Sequence, residues 1–570
     1  MNTKAYIIDV LDNLWTFVDR EVIEQSLETP KDKKMGDLAF PCFRLAKTLH
    51  KAPNMIAADL KELLEGQKLF EKVEVVGPYV NLTIDKAWMA EFVLDQVDSC
   101  AEEGKVFGTS DEGQGKTVIL DYSSINVAKP FHIGHLRTTV IGNSLKRIHQ
   151  FMGYNTYCIN YLGDWGTQFG KMLVAYRKWG DPSLVEKDGI RYLVSLYVRF
   201  HSEAEKNEAL NDEARAAFTS LEKGDQDALA LWQHFIDVSL KDVMKVYELL
   251  DVQFDSYQGE SYFWDKTDEL LRLLDDKKLL SDSEGAKIVD LSDFNMPPCL
   301  ILKKDGSTLY ATRDISSAMY RKKTFDFYKN IYITGLEQIL HFNQWFKVCD
   351  MMGFEWAQDL VHIPYGLISL EEGKLSTRSG NVIWLEDLLK EAIAKTRSII
   401  EEKNPNLENI DEVAQQVGVG AVVFHDLFNN RIKEITFSWD SVLNFDGETG
   451  PYVQYTYARA SNVLRKAEWN RGSLEKVDYA ALTDEYSQEI LKLVEAFPAK
   501  VKEALDKYEP YIVTRYAVAL AGAFNRFYHE NSILNADEAD RKARLKLTDV
   551  TTRILKQALY LIGVSAPEKM

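Results

Sequence analysis

Residues 117–148 read TVILDYSSINVAKPFHIGHLRTTVIGNSLKRI, a strand, a turn and a helix in direct succession. Thr117-Val118-Ile119-Leu120-Asp121-Tyr122 is β-branched and apolar enough for a buried strand, whereas Leu136, Val140, Ile141, Leu145 and Ile148 recur at helical spacing. Pro130 disfavours helical backbone at Lys129, so the turn stays extended until about His132 and the helix opens within His132-Ile133-Gly134-His135. Free backbone amides gather at such an end and, with the helix dipole, attract phosphate. Gly134 lets a nucleotide approach the backbone, and the imidazoles of His132 and His135 can donate hydrogen bonds. A lone His-x-x-His suits an ordinary turn equally well; here the flanking strand and helix point to one half of a nucleotide-binding unit.

Composition frames that unit. A chain of 570 residues corresponds to roughly three or four domains, and 46% hydrophobic content supplies substantial cores. The net charge of −19 counts against a protein that coats nucleic acid indiscriminately, because such binding rests on neutralising phosphates. Local basic tracks remain possible: residues 541–556 hold Arg541, Lys542, Arg544, Lys546, Arg553 and Lys556 against the single acid Asp549, which alone reads as a solvated helix face. Five cysteines (Cys42, Cys100, Cys158, Cys299, Cys349) lie far apart without a C-x-x-C pair, so neither a disulfide framework nor a cysteine zinc site is expected. A reducing cytoplasm fits. No apolar stretch of about 18 residues occurs, and Asp9, Asp12, Asp19 and Glu21 punctuate the N-terminus, so neither export signal nor membrane span is expected.

Working outward, residues 1–110 alternate helical patterns with a strand at 79–84 and should form a small α/β domain; 101–116 reads as a linker. A second strand at 156–161 leads into Leu162-Gly163-Asp164-Trp165-Gly166-Thr167-Gln168-Phe169-Gly170, a turn expected at the strand ends, where Trp165 can equally be a packing residue. Residues 180–295 look like a helical insertion, with Leu229, Trp232, Ile236, Leu240, Val243 and Tyr247 on one face of a long helix. The sheet should resume through 299–302, 306–314, 331–335 and 362–368. Glu337 and Gln338 follow the turn at Gly335 and should face the same crevice as His132. The loop Glu371-Glu372-Gly373-Lys374-Leu375-Ser376-Thr377-Arg378-Ser379-Gly380-Asn381 follows, and beyond about 440 the pattern is helical to the end. Three domains are expected, at 1–110, 111–440 and 441–570.

His132-Ile133-Gly134-His135 after a strand and before a helix resembles the HIGH signature of class I aminoacyl-tRNA synthetases and related nucleotidyltransferases, and SSINVAKPFHIGHLRTTVIGNSL resembles arginyl-tRNA synthetases in particular. MGDLAF at 35–40, GPYVNLTID at 77–85, LGDWGTQFG at 162–170, GPYVQYTYAR at 450–459 and FNRFY at 524–528 extend the likeness over nearly the whole chain. The loop at 371–381 resembles the second class I signature, usually written KMSKR: Lys374, Ser376 and Arg378 match, but Thr377 stands where the second lysine is usual. The resemblance implies an α/β fold: a Rossmann-type class I catalytic domain, with a small α/β N-terminal domain that contacts the tRNA elbow and an all-α C-terminal domain that binds the anticodon. The implied reaction is ATP-dependent attachment of L-arginine to the 3′ end of tRNA(Arg) through an arginyl-adenylate. The nearest rivals are other class I synthetases, some of which carry cysteine-based zinc sites not found in this sequence, and a HIGH-type nucleotidyltransferase, which needs no large helical C-terminal domain. A non-catalytic relative would not be expected to keep both signatures.

No protein nucleophile is required, so positioning and charge stabilisation must carry the chemistry. The resemblance assigns that work to Lys129, His132, His135, Lys374, Ser376 and Arg378, with ATP held by His132, Gly134, His135, Gly335, Glu337, Lys374 and Ser376 and with Mg²⁺ on the phosphates. Lys129 is the implied substitute for the charge missing at Thr377. A guanidinium presents a planar fork of donors that carboxylates accept bidentately. Asp121 and Asp314 match the family's acidic positions in the arginine pocket, and Asn126, Tyr310 and Gln338 its polar ones. Tyr79 and Asn81 are the candidates at the tRNA elbow; Tyr455, Arg459, Arg526 and Met570 are those at the anticodon. The expectation is a monomer with no zinc and no resident protein-held metal.

Overall fold

A computed structural model describes residues 2–370, 383–471 and 477–570. Its centre is a four-stranded parallel sheet in the spatial order Leu360–Tyr365, Lys329–Gly335, Thr117–Asp121, Asn155–Ile159. Register runs Asp121 against Ile159 on one side and against Tyr332 on the other. From the first strand the chain moves to one neighbour, then returns to build on the opposite side. The strand order therefore reverses between Thr117–Asp121 and Lys329–Gly335, and the crevice beyond their carboxyl ends is the topological switch point where such sheets receive ligands.

The helix after the first strand spans Gly134–Phe151, and 14 of its 18 residues are buried, so it is an axle and not an amphipathic surface helix. Its apolar positions pack on the sheet, and its polar ones tie it to the rest of the molecule. Thr138 Oγ1 donates to the Ile333 carbonyl (2.7 Å), Ser144 Oγ to the Leu561 carbonyl (2.9 Å) and Arg147 to the Tyr560 carbonyl (2.9 Å). Arg137, fully buried, donates to the carbonyls of Gly366 and Lys433 at 2.7 Å each and lies 3.3 Å from the Asp426 carboxylate. Gly366 is needed there, because a Cβ would meet the Ile432 carbonyl at 2.4 Å.

Before this core, helices Thr3–Leu14, Arg20–Ser26 and Pro53–Leu64 accompany an antiparallel sheet in which Tyr79–Ile84 lies between Leu38–Pro41 and Phe70–Val76. Ile7, Leu11, Trp15, Phe40, Leu60 and Leu82 form its core. After it, Gly450–Lys466, Glu485–Lys507, Tyr511–Glu530 and Glu538–Leu561 make an all-helical bundle. The basic track at 541–556 is not a solvated face: Lys546 and Arg553 turn inward onto Asp98, and Arg553 also onto Asp549. It binds the bundle to the helix Lys86–Glu102, on which Asp98 sits.

Several strand expectations fail for one reason: a short apolar run does not name its partner. Cys299–Leu302 joins a separate antiparallel sheet with Leu280–Ser283 and Ala286–Val289, so the insertion is not helical throughout and the central sheet does not resume there. Residues 310–325 form a helix, Tyr310–Phe325. The run at 362–368 divides between Leu360–Tyr365 in the central sheet and Ile368–Leu370, which pairs in parallel with Ile435–Phe437.

Candidate functional site at the switch point

The backbone N–H of Gly134 donates to His132 Nδ1 (3.0 Å), and that of His132 donates to His135 Nδ1 (3.2 Å). Each Nδ1 is thus an acceptor, so each neutral ring carries its proton on Nε2 and offers one N–H donor. Burial holds His132 below the usual imidazole range and takes His135 down to about 3, with His132 adding to the effect. The rings, with centroids 4.1 Å apart, therefore remain uncharged at neutral pH. Trp384 pairs antiparallel with His132, and Leu385 donates to the Phe131 carbonyl (3.0 Å). The chain returning from the second signature is thereby pinned beside the first. Lys374, Ser376, Thr377 and Arg378 themselves lie outside the described residues.

At the end of the neighbouring strand Glu337 and Gln338 are exposed, and the Glu337 carboxylate folds back so far that a Cβ at Gly335 would stand 2.4 Å from its oxygens. Between the strand ends, the turn after Thr117–Asp121 is held open by left-handed backbone at Ser123, Ser124 and Ala128. It is zipped to the LGDWG turn: Gly163 donates to the Ile125 carbonyl (2.8 Å) and accepts from Val127 (3.2 Å). A side chain at 163 would strike the Asn126 amide oxygen at 2.5 Å, which is the reason for glycine there. Asn126 is left exposed at the crevice. Trp165 packs between Trp232 and Trp264, a structural role.

The acids of the crevice differ from expectation. Asp121 is 5% exposed, and its carboxylate accepts from Arg321 at 2.6 Å, so it already holds a resident guanidinium. Burial raises this carboxyl and Arg321 pulls it back. Asp121, expected as an acid of the arginine pocket, is half of a buried ion pair. Asp314 stays half-buried at the mouth, 2.7 Å from His341 Nε2. The acid that sequence reasoning missed is Glu260, whose carboxylate lies 3.7 Å from Arg313. Burial pushes it up to about 7 against the opposing charge of Arg313, with Asp314 and Asp164 adding to the rise. Its backbone N–H donates to the Leu162 carbonyl (3.0 Å), and Asp164 accepts from Ser261 N–H (2.8 Å) and Oγ (2.6 Å). The glycine-rich turn thus fastens the Glu260 turn in place. The only trace in the sequence is a single acid after Gly259, inside a stretch that offered no chemistry. Tyr310 is 63% exposed, and the Arg313 guanidinium stands 5.1 Å from its ring. Lys129 is pulled down by burial, with Glu260 opposing, and its charge also reaches His135.

The more distant candidates divide. Tyr79 is half-buried, edge-on to the exposed Phe43 at 5.7 Å. Asn81, on the central strand of its sheet, is turned inward, 7% exposed with its amide 3.5 Å from Met35 Sδ. Tyr455, Arg459 and Met570 meet in one groove of about 540 Å³ that Arg465 and Tyr528 also line. The Arg459 guanidinium lies 4.7 Å from the Tyr455 ring and 5.5 Å from that of Tyr528. Arg526 does not belong to this groove. It faces Glu489 in a two-bond ion pair (2.6 and 3.3 Å), one residue along the helix from Asn525, which binds Arg459.

Three family descriptions match the chain: "Arginyl tRNA synthetase N terminal domain" over residues 1–84, "tRNA synthetases class I (R), catalytic domain" over 97–439 and "DALR anticodon binding domain" over 453–570. Arginine–tRNA ligase of Clostridioides difficile is 54% identical over 567 residues, covering 100% of this chain and 99% of that protein. Its counterpart in Halothermothrix orenii is 49% identical over 567 residues, with 100% and 99% covered. Among solved structures, Thermus thermophilus arginyl-tRNA synthetase superposes with a TM-score of 0.79 at 24% identity over the whole of both chains. That of Plasmodium falciparum does so with a TM-score of 0.74 at 23% identity over 100% of this chain and 98% of the other.

Proposed function

The chain belongs to the arginyl-tRNA synthetases, class I enzymes, and from that membership we infer that it joins L-arginine to the 3′ end of tRNA(Arg) with ATP as co-substrate, through an arginyl-adenylate. The observation that best supports this reading is a juxtaposition at the switch point. Two neutral imidazole donors stand at a helix N-terminus, suited to phosphate, and His135 of the pair shares the field of Lys129 with Glu260, which together with Asp314 offers carboxylates suited to a guanidinium.

In the first step an oxygen of the arginine carboxylate bonds to the α-phosphorus and the bond to the β-phosphate breaks, releasing pyrophosphate. In the second a terminal hydroxyl of the tRNA attacks the adenylate carbonyl and AMP leaves. His132 and His135 donate Nε2–H to phosphate oxygens, and Lys129 adds a cation that acts on both His135 and Glu260. Glu260 and Asp314 receive the guanidinium, Tyr310 covers its face, and Asn126 and Gln338 offer polar contacts at the rim. Lys374, Ser376 and Arg378 are assigned to the pyrophosphate from their match to the second signature. Mg²⁺ on the phosphates would be held by phosphate oxygens and water with Glu337 at hand, neutralising charge.

The groove around Arg459 is the proposed anticodon surface, and the exposed Phe43 beside Tyr79 the proposed elbow contact. No helix among the described residues is long and apolar enough to cross a membrane. We place the protein in the cytoplasm as a monomer, for which sedimentation gives the mass directly. The experiment that tests the function is charging of a tRNA mixture with each of the 20 amino acids in turn. Arginine alone should be esterified; charging with another amino acid, or with none, overturns the reading.

A further inference from the structure

Two residues that suit their own helices poorly meet at a cavity of about 650 Å³ between the insertion and the helix Leu385–Lys403. Arg191 lies in the first turn of the helix Ile190–Ala204, where the helix dipole disfavours a cation. Trp384 is the N-cap of Leu385–Lys403, a position that Ser, Thr, Asp or Asn fills better, because an indole can only donate and so caps no backbone amide. What neither helix explains, their contact does. The Arg191 guanidinium stands 4.5 Å from the Trp384 ring, 2.7 Å from the Asp387 carboxylate and 3.9 Å from that of Glu386. The insertion fixes the base of this arm, since the Ile190 N–H donates to Asp242 at 2.7 Å.

Through its backbone Trp384 reaches the imidazole end of the crevice. The Ile133 N–H donates to the Ile383 carbonyl (3.4 Å) and the Leu385 N–H to the Phe131 carbonyl (3.0 Å), so residues 383–385 run antiparallel to 131–133 with Trp384 opposite His132. The His132 N–H in turn holds the His135 ring at Nδ1. We propose that Arg191 is a positioning residue for the ATP site: its guanidinium clamps Trp384 and thereby holds the backbone from which His132 and His135 aim their free N–H groups at phosphate. The proposal rests on the function inferred above, and it gives the helical insertion a part in nucleotide binding.

In Arg191→Ala the ATP KM should rise about fivefold while the arginine KM stays within about twofold, the scale of losing one part-exposed cation–π contact and its ion pair. The ATP-free Tm should stay near the parent's, and the rise in Tm at one fixed ATP concentration should shrink. Arg191→Lys keeps a cation over the ring and should recover most of the ATP KM. Trp384→Leu should raise the ATP KM as Arg191→Ala does, and the double variant should do little more than either alone, because both remove the same contact. An unchanged ATP KM in Arg191→Ala overturns the proposal. So does a lower ATP-free Tm with kinetics intact, which would make the contact structural only, and so does an equal rise in the arginine KM, which would mean a disturbance of the whole domain. Multiplying effects in the double variant would show that the two side chains act separately, and would overturn it as well. A parent protein that charges no arginine sinks the functional reading, whereas normal charging by the parent beside an unaltered ATP KM in Arg191→Ala sinks this inference alone.

Discussion

The carboxylate of Asp121 and the guanidinium of Arg321, 200 residues apart in the chain, lie 2.6 Å from each other with both side chains almost wholly out of solvent. The first strand of the sheet thus ends on a charge neutralised from within.

That pairing separates two variants that sequence alone would treat alike. Asp121→Asn leaves Arg321 buried without its counter-charge and should lower unfolding stability by about 3–5 kcal/mol, measured by denaturant titration. Asp314→Asn should leave stability nearly intact and weaken arginine binding by about 1.5–3 kcal/mol, read from the arginine KM. A mild Asp121→Asn with a selective loss of arginine binding would restore Asp121 to the pocket.

Glu260 predicts a pH dependence. Its carboxyl titrates near 7 in the free protein, above its ordinary value, so it holds its proton more tightly folded than unfolded. Its contribution to stability is therefore present at acid pH and fades as pH rises through about 7. A bound guanidinium reverses the preference, because it favours the carboxylate. The arginine KM should fall by about tenfold per unit up to pH of about 7 and level off above it, with proton release on arginine binding, measured by calorimetry, confirming the cause. Glu260→Gln should raise the KM and abolish the slope; a slope that survives in that variant assigns the titration to another group.

Lys129 acts electrostatically on both Glu260 and His135. Lys129→Ala should slow adenylate formation by about 10²-fold, the scale of losing one preorganised stabiliser of transition-state charge. Adding Thr377→Lys should recover part of the rate. Near-normal single-turnover rates in Lys129→Ala would remove it from the chemistry.

In the C-terminal bundle, Tyr455→Ala or Arg459→Ala should weaken tRNA binding by about 1–3 kcal/mol, as expected when one base loses its stacking platform. Arg526→Ala, which breaks an exposed ion pair with Glu489, should cost tRNA binding far less. Equal losses in filter binding from all three would show that the groove around Arg459 is not the centre of the contact.

The amino-acid sequence by itself determined the strand, turn and helix at 117–148 and the helical run beyond about 440, because Pro130 and apolar periodicity act on the backbone within a few residues. Only the tertiary structure decided how the acids near the strand ends are paired and held. Glu260 is carried there by a turn fastened to Leu162 and Asp164, and Asp121 is withdrawn by Arg321, contacts that span about 100 and 200 residues and leave no periodic trace. The same holds for the Gly134–Phe151 helix, where Ser144 and Arg147 are buried by the C-terminal bundle through the carbonyls of Leu561 and Tyr560. Local pattern fixes a backbone path; the ionic and hydrogen-bonding partners of a polar side chain are chosen by whichever distant segment packing brings within about 3 Å.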